Sequence, residues 1–162
     1  MINKNKFILY SKITTKSLNE IKDNKDSERL TLEGVASTKN RDLQDEIIDS
    51  ACLKSMQQQA PGLTIMGDHT YGLFDGVIGA VKEVLPTDDD SLKIKFQIRN
   101  KFSEEVKDIL STGINQGLSI DGQVTDYIES SKTIKGINLR EISLTAMPAN
   151  WDTYGTVTTT KD

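Results

Sequence analysis

The clearest pattern of apolar and polar positions lies in residues 91–99. Apolar side chains occupy every second position there: Leu92, Ile94, Phe96 and Ile98. Charged or amide side chains fill the positions between them, which is the period of a strand with one buried face. A second apolar run at residues 76–85 precedes this strand across an acidic turn at 86–90, so the two runs predict a β-hairpin.

Other segments have the spacing or composition of strands. They are residues 7–13, 29–37, 63–66, 116–129 and 134–146. Residues 14–27 interleave Lys and Asp with little to bury, and we expect a mobile loop there. The Thr-rich end of the chain favours a flexible tail that begins within residues 151–162.

Two segments predict short helices. Asp49 or Ser50 can cap a helix that runs through Gln59 and is ended by Pro61-Gly62. Ser103 is expected to begin a second helix at about 103–112, with two glutamates in its first turn, where the helix dipole favours them. Its predicted apolar stripe consists of Val106, Ile109 and Leu110, and Gly113 is expected to end the helix.

These elements predict a single domain over residues 1–162 of mainly β structure with short helices. The most economical arrangement of so many strands is a closed or nearly closed β-barrel. The chain length suits one domain better than two, since 162 residues supply only one substantial core.

Composition narrows the function classes. The formal net charge is −4 and no basic face is concentrated, which argues against nucleic acid as a partner. No apolar run approaches the roughly eighteen residues of a membrane span. One cysteine, Cys52, excludes an intramolecular disulfide and favours a reducing compartment. Nothing in the sequence calls for a cofactor.

His69 is the only histidine of the chain, and it follows a short apolar strand at the start of a Gly-rich loop. It is therefore the one side chain whose unperturbed pKa suits proton transfer near pH 7. Ser119 lies between Gly117 and Gly122 on a predicted strand. Glycines allow backbone N–H groups to approach a substrate carbonyl, as an oxyanion hole requires. Either residue could equally serve a structural role.

Glu141 is the third polar residue of interest. On strand 134–146 the alternation places it in line with Ile137 and Leu139, where an acid needs a partner. A salt bridge inside the barrel and an acid that orients a histidine both satisfy that need. The order His, Ser, acid differs from that of α/β-hydrolases, chymotrypsin and subtilisin.

In this order, the sequence resembles the prohead (procapsid maturation) proteases of tailed phages, which are related in fold to herpesvirus assemblin. The resemblance covers residues 30–150 and has five parts: Gly34-Val35-Ala36-Ser37, Pro61-Gly62-Leu63 with His69, Val77-Ile78-Gly79, Gly117-Leu118-Ser119-Ile120, and Leu139 to Leu144 with Pro148-Ala149-Asn150. It implies an assemblin-type barrel and a serine endopeptidase with the triad His69, Ser119 and Glu141. Asp121 stands where many relatives have Gly and is a second candidate acid.

The same resemblance implies the biological setting. The enzyme would act in the host cytoplasm inside the procapsid, on scaffold protein or the scaffolding extension of the major capsid protein, and on itself. Assemblin relatives dimerise, so we expect self-association, with the helix at 103–112 as its surface. The alternatives are a catalytically inactive relative that binds capsid or scaffold protein, a weak metal site at His69, Asp68 and Asp75, and a Cys52–His69 thiol protease.

Overall fold

The computed structural model of the protein describes residues 29–72, 74–87 and 90–160. Within these ranges the chain forms eight strands and two α-helices. The strands are β1 (Thr31–Thr38), β2 (Ile47–Ile48), β3 (Thr64–Gly67), β4 (Val77–Leu85), β5 (Ser91–Ile98), β6 (Gly117–Ile128), β7 (Thr133–Thr145) and β8 (Thr158–Thr159). The helices are α1 (Ser50–Gln59) and α2 (Asn100–Ser111), and Trp151–Thr153 form a 3-10 turn.

The predicted β-hairpin is confirmed. β4 and β5 pair antiparallel, and all four apolar residues of the alternating run on β5 are fully buried. At Gly79 the two strands approach so closely that an added Cβ would lie 2.2 Å from the carbonyl oxygen of Gln97. The strands predicted over 29–37, 63–66, 116–129 and 134–146 also form, within about two residues of the predicted ends. The predictions at 7–13 and 14–27, and part of the acidic turn, lie outside the described residues.

The two helices differ in how well the sequence locates them. α1 is capped as expected, since the Asp49 side chain accepts a hydrogen bond from the backbone N–H of Cys52 at 2.7 Å. The prediction that Ser103 begins α2 is wrong, because the helix begins at Asn100. The Ser103 hydroxyl donates to the carbonyl oxygen of Arg99, one turn earlier, and so lies inside the first turn. Gly113, with φ +78°, follows the helix end as predicted.

The sheet is mainly antiparallel and is not closed. Its strands run in the order β2-β7-β3-β4-β5-β1-β8, and β6 pairs with β7. Closure of the predicted closed or nearly closed barrel is therefore not confirmed, because among the described residues no ladder joins β1 to β6.

The end of the 3-10 turn and the segment after it bridge these two strands. The Thr153 hydroxyl donates to the carbonyl oxygen of Leu118 on β6, and the Thr156 hydroxyl accepts from the backbone N–H of Val35 on β1. Thr153 is fully buried, and β8 pairs with β1. Within residues 151–162, where the sequence predicts that a flexible tail begins, Thr153 and Val157 are buried.

The core lies between the sheet and α1. β5 and β7 contribute four apolar side chains each, more than any other element, and α1 adds Cys52, Leu53 and Met56. α2 contacts the same core through Val106. Neither described helix has the length and hydropathy that crossing a membrane requires.

Candidate active site

A cavity of about 590 Å³ opens at the ends of β1 and β6. Both His69 and Ser119 line it. Its other walls come from the loop at 40–46, the first part of β6 and the loop at 147–150. The sequence separates these segments widely, and the pairing of β6 and β3 with β7 brings them to one place.

The backbone at His69 has an unusual conformation. Asp68 and His69 have φ values of 48° and 54°, which is the left-handed region that few non-glycine residues adopt. Such residues cost on the order of 1–3 kcal/mol each and persist only where the surroundings hold them. Here the Asp68 N–H donates to the carbonyl oxygen of Leu144, and the His69 N–H donates to the Ser143 hydroxyl at 2.9 Å. β7 thus fixes the loop that carries the imidazole.

The Glu141 carboxylate lies behind the imidazole, and its side chain is 1% exposed. One oxygen contacts His69 Nδ1 in a short hydrogen bond, and the other accepts from the Ser143 hydroxyl at 2.8 Å. The Ser143 hydroxyl in turn accepts from the His69 backbone, so three residues form a closed ring of hydrogen bonds. These partners offset the cost of burying a carboxylate. With Nδ1 donating to Glu141, Nε2 is the nitrogen left to accept a proton.

Ser119 lies directly opposite Ser143 in the β6–β7 ladder. It is 7% exposed and contributes to the cavity wall. Its hydroxyl has no hydrogen-bond partner in the part of the chain that the structure describes. A hydroxyl on a cavity wall that has no internal partner is available to a ligand.

Asp121 belongs to a second, more exposed cluster at the rim of the cavity. It accepts a hydrogen bond from the Tyr71 hydroxyl at 2.5 Å and lies 3.3 Å from the Arg140 guanidinium. The hydrogen bond to Asp121, together with burial, raises the pKa of Tyr71 to about 12. Asp121 thus has two partners of its own, and neither is His69.

The structure brings together His69 and Glu141 and places Ser119 on the same cavity as His69. Asp121 also lines this cavity, but Cys52 and Asp75 do not. Cys52 is buried in α1, away from the cavity, and burial raises its pKa to about 11. Asp75 lies 3.4 Å from Lys101. Among the described residues no three His, Cys, Asp or Glu side chains are grouped as metal ligands would be.

Ser143 is the residue of this site whose role the sequence analysis did not predict. It lies two residues after Glu141 on one strand, so both side chains point to the same face. That spacing is a signal that could have found it, since a buried acid needs donors nearby.

Comparisons with known proteins bear on the fold and the family of the chain. Comparison with curated proteins gives no match. Several solved chains match, among them KSHV protease in complex with a hexapeptide phosphonate inhibitor, with a TM-score of 0.54 and 14% identity. That match covers 83% of this chain and 66% of the herpesvirus chain, just under two thirds of its length. It shows the fold. The family model described as caudovirus prohead serine protease matches residues 16–161, and the chain therefore belongs to the prohead serine protease family.

Proposed function

We propose that the protein is the serine endopeptidase of phage capsid maturation, with Ser119 as nucleophile, His69 as general base and Glu141 as the acid that orients the imidazole. The observation that carries this proposal is the contact between the buried Glu141 carboxylate and His69 Nδ1, on a cavity that Ser119 also lines. An imidazole held in one tautomer by a buried acid, with a serine nearby, is the arrangement that activates a hydroxyl.

The reaction follows from these positions. Ser119 Oγ attacks the peptide carbonyl while Nε2 of His69 takes its proton, and the imidazolium that forms is stabilised by Glu141. The imidazolium then gives that proton to the amine as the peptide C–N bond breaks, leaving an ester on Ser119. Water, deprotonated by His69, then attacks the ester, and the carboxyl product leaves as the imidazolium returns the proton to Ser119 Oγ. The left-handed loop at Asp68-His69 aims the ring, and Ser143 holds that loop.

Membership of the prohead protease family supports the identity of the substrates. We propose that the enzyme acts inside the procapsid in the host cell, on scaffold protein or on the scaffolding extension of the major capsid protein. It would also cleave itself. The herpesvirus protease binds a hexapeptide phosphonate inhibitor, which supports a peptide as the ligand of the corresponding cavity here.

The experiment is co-expression with the capsid protein and scaffold protein of the same phage, read by intact mass. Ser119→Ala removes one oxygen atom and should leave the fold intact while it abolishes every cleavage. Ser111→Ala, on the exposed end of α2, is the matched control and should cleave as the parent does. Cleavage that continues unchanged in Ser119→Ala would reject the assignment of the nucleophile.

We also propose self-association, through the face of α2. Val106 of its stripe is buried against the core, while Ile109 and Leu110 remain partly exposed beside Ile114, which is 50% exposed. Sedimentation of Ser119→Ala protein at micromolar concentration should show a dimer that Ile109→Asp weakens. A monomer at all concentrations, with parental activity per molecule independent of concentration, would reject the idea.

A further inference from the structure

The cavity beside Ser119 has walls of mixed chemistry. Apolar side chains that are unusually exposed surround it: Leu43 at 69%, Tyr71 at 63%, Val124 at 44% and Met147 at 82%. Monomeric proteins rarely gather large exposed apolar groups around one concave surface without a ligand for it. The unpartnered Ser119 hydroxyl faces the same space, so the apolar walls and the reactive atom belong to one binding site.

The floor of this cavity includes the β6 segment from Ser119 to Val124. At a rise of about 3.3 Å per residue, five steps of strand span roughly 16 Å. An extended peptide of about five residues matches that length. The cavity is therefore long enough to contact several side chains of a peptide substrate.

The described walls of the cavity carry acidic side chains and no Lys or Arg. Three described lining residues are acidic, Asp42, Glu46 and Asp121, and no described lining residue is Lys or Arg. Asp121 is already engaged by Tyr71 and by Arg140. Asp42 and Glu46 have no ion pair within the described part of the chain. The negative charges of these two carboxylates are therefore not balanced by a neighbouring cation, and each can pair with a cationic group of a ligand.

The loop that carries these two acids is rigidly held. The Asp42 carboxylate accepts from the backbone N–H groups of Gln44 and Glu46 at 2.9 Å and 3.0 Å. The Leu43 N–H donates to the carbonyl oxygen of Ala149, which ties the loop to the opposite wall of the cavity. The acids are therefore preorganised, and binding a cation there costs little reordering of the loop.

Asp45, in the same loop, provides the contrast. It lies outside the cavity lining and pairs with Arg41 at 2.9 Å and with Lys132 through its other oxygen. These two cations hold the pKa of Asp45 below its usual value. Asp45, outside the cavity, thus has two cations beside it, whereas Asp42 and Glu46, which line the cavity, have none among the described residues. Burial, the negative charges of Glu46 and Glu129, and a hydrogen bond to the Glu46 carboxylate raise the pKa of Tyr127, so Glu46 has a neutral partner but no cation in the part of the chain that the structure describes.

We propose, resting on the proposed protease function, that this cavity selects cleavage segments that combine apolar side chains with a Lys or Arg, and that Asp42 and Glu46 are the residues that recognise the basic side chain. The apolar walls bind the aliphatic stem and the neighbouring residues, and the two carboxylates bind the cationic head. Scaffold or capsid segments without a basic residue are bound less tightly.

The experiment measures binding separately from cleavage. Ser119→Ala protein is titrated against fluorescein-labelled octapeptides in which one position is fixed as Lys, Met or Glu and the others vary over apolar residues. Fluorescence anisotropy at low salt should show, at one position at least, Lys bound about tenfold more tightly than Met, and Glu bound most weakly. Added salt should reduce the advantage of Lys, because mobile ions screen the pairing.

Two matched variants decide which residues carry the selectivity. Asp42→Asn with Glu46→Gln, made in the Ser119→Ala background, should bind Lys and Met peptides within about twofold of each other; Asn keeps the acceptor oxygen of the loop. Asp45→Asn should keep the full preference for Lys. Equal binding of the three peptides at every position, or a Lys preference that survives in the double variant, overturns the proposal.

The two proposals fail in different ways. The same peptides, incubated with protein that retains Ser119, report the protease function. Lys-selective binding without cleavage rejects the protease function and leaves the binding preference standing. Cleavage by the parent with no preference for Lys rejects the preference and leaves the protease function standing.

Discussion

Glu141 and Asp121 face each other across the β6–β7 ladder, and the chain uses them differently. The side chain of Glu141 is 1% exposed, whereas that of Asp121 is 29% exposed. Glu141 contacts the imidazole and the Ser143 hydroxyl, while Asp121 contacts the Tyr71 hydroxyl and the Arg140 guanidinium. The same functional group thus occurs twice at one level of the sheet, in two environments.

The difference shows which properties suit a carboxylate to partner a histidine: burial and the absence of another cation. A carboxylate away from water interacts more strongly with a nearby cation than one that water and salt can screen. Asp121 already has a cation, Arg140, to balance its charge. Glu141 has no Lys or Arg beside it in the described residues, so the imidazolium formed during proton transfer would be its cation.

The largest change in kcat that separates the two acids is expected when each is neutralised in turn. Glu141→Gln keeps the packing and loses the charge, and kcat should fall by roughly 10²–10⁴-fold, as when the acid of a triad is made neutral. Asp121→Asn should lower kcat by less than about tenfold. The measurement is initial cleavage rate against one peptide, with circular dichroism to establish folding. A damaging Asp121 change beside a nearly silent Glu141 change would exchange the two roles.

A smaller effect is expected at Ser143, which only the buried cluster contains. Ser143→Ala leaves the second oxygen of Glu141 and the His69 N–H without their partner, at a cost of about 1–3 kcal/mol for each buried group. We expect kcat to fall roughly ten- to a hundredfold with KM little changed, since the imidazole is less well aimed.

A double-mutant cycle separates this positioning role from simple destabilisation. If Ser143 acts through Glu141, the Glu141→Gln change should cost less in the Ser143→Ala background than in the parent. Ser143→Thr, which keeps the hydroxyl, should recover part of the rate. Fully additive losses would mean that Ser143 only supports the fold.

The smallest effect concerns the exposed cluster. The hydrogen bond to Asp121 raises the pKa of Tyr71 to about 12 from an ordinary value of 10.0. Because the folded-state pKa is raised, the stability that this contact contributes is present below about pH 10 and is lost as the pH rises through about 12. Absorbance at 295 nm should show Tyr71 titrating at lower pH in Asp121→Asn than in the parent. Identical titrations would place Asp121 outside the contact.

Much of the fold was predictable because its signals are local. The period-two alternation of β5 and the cap at Asp49 each depend on residues close together in sequence. The start of α2 was misjudged because Ser103 has the composition of a cap but uses its hydroxyl on the carbonyl of Arg99, inside the helix. The alternation of apolar and polar residues could not show that the sheet stays open between β1 and β6. That gap is bridged by the Thr153 and Thr156 side chains, which come from a different part of the chain.

The residues of the proposed site could be selected from the sequence, but their geometry could not. One histidine and a glutamate in line with apolar residues marked His69 and Glu141, and a serine between glycines marked Ser119. The left-handed conformation at Asp68-His69 has no local signature, because Ser143 and Leu144 on a distant strand impose it. Asp42 and Glu46 lie in a segment that has the composition of an ordinary solvated loop, and only the fold shows that they line the cavity.

Covalent labelling of the nucleophile tests the central claim most directly. An alkyl fluorophosphonate reacts when the activated hydroxyl attacks phosphorus and displaces fluoride, and peptide mass mapping then locates the adduct. We expect one adduct, on Ser119, formed much more slowly in Glu141→Gln, at nearly the parental rate in Asp121→Asn, and not at all in His69→Ala. An adduct on another residue, or labelling of Ser119 at the same rate without His69, would contradict it.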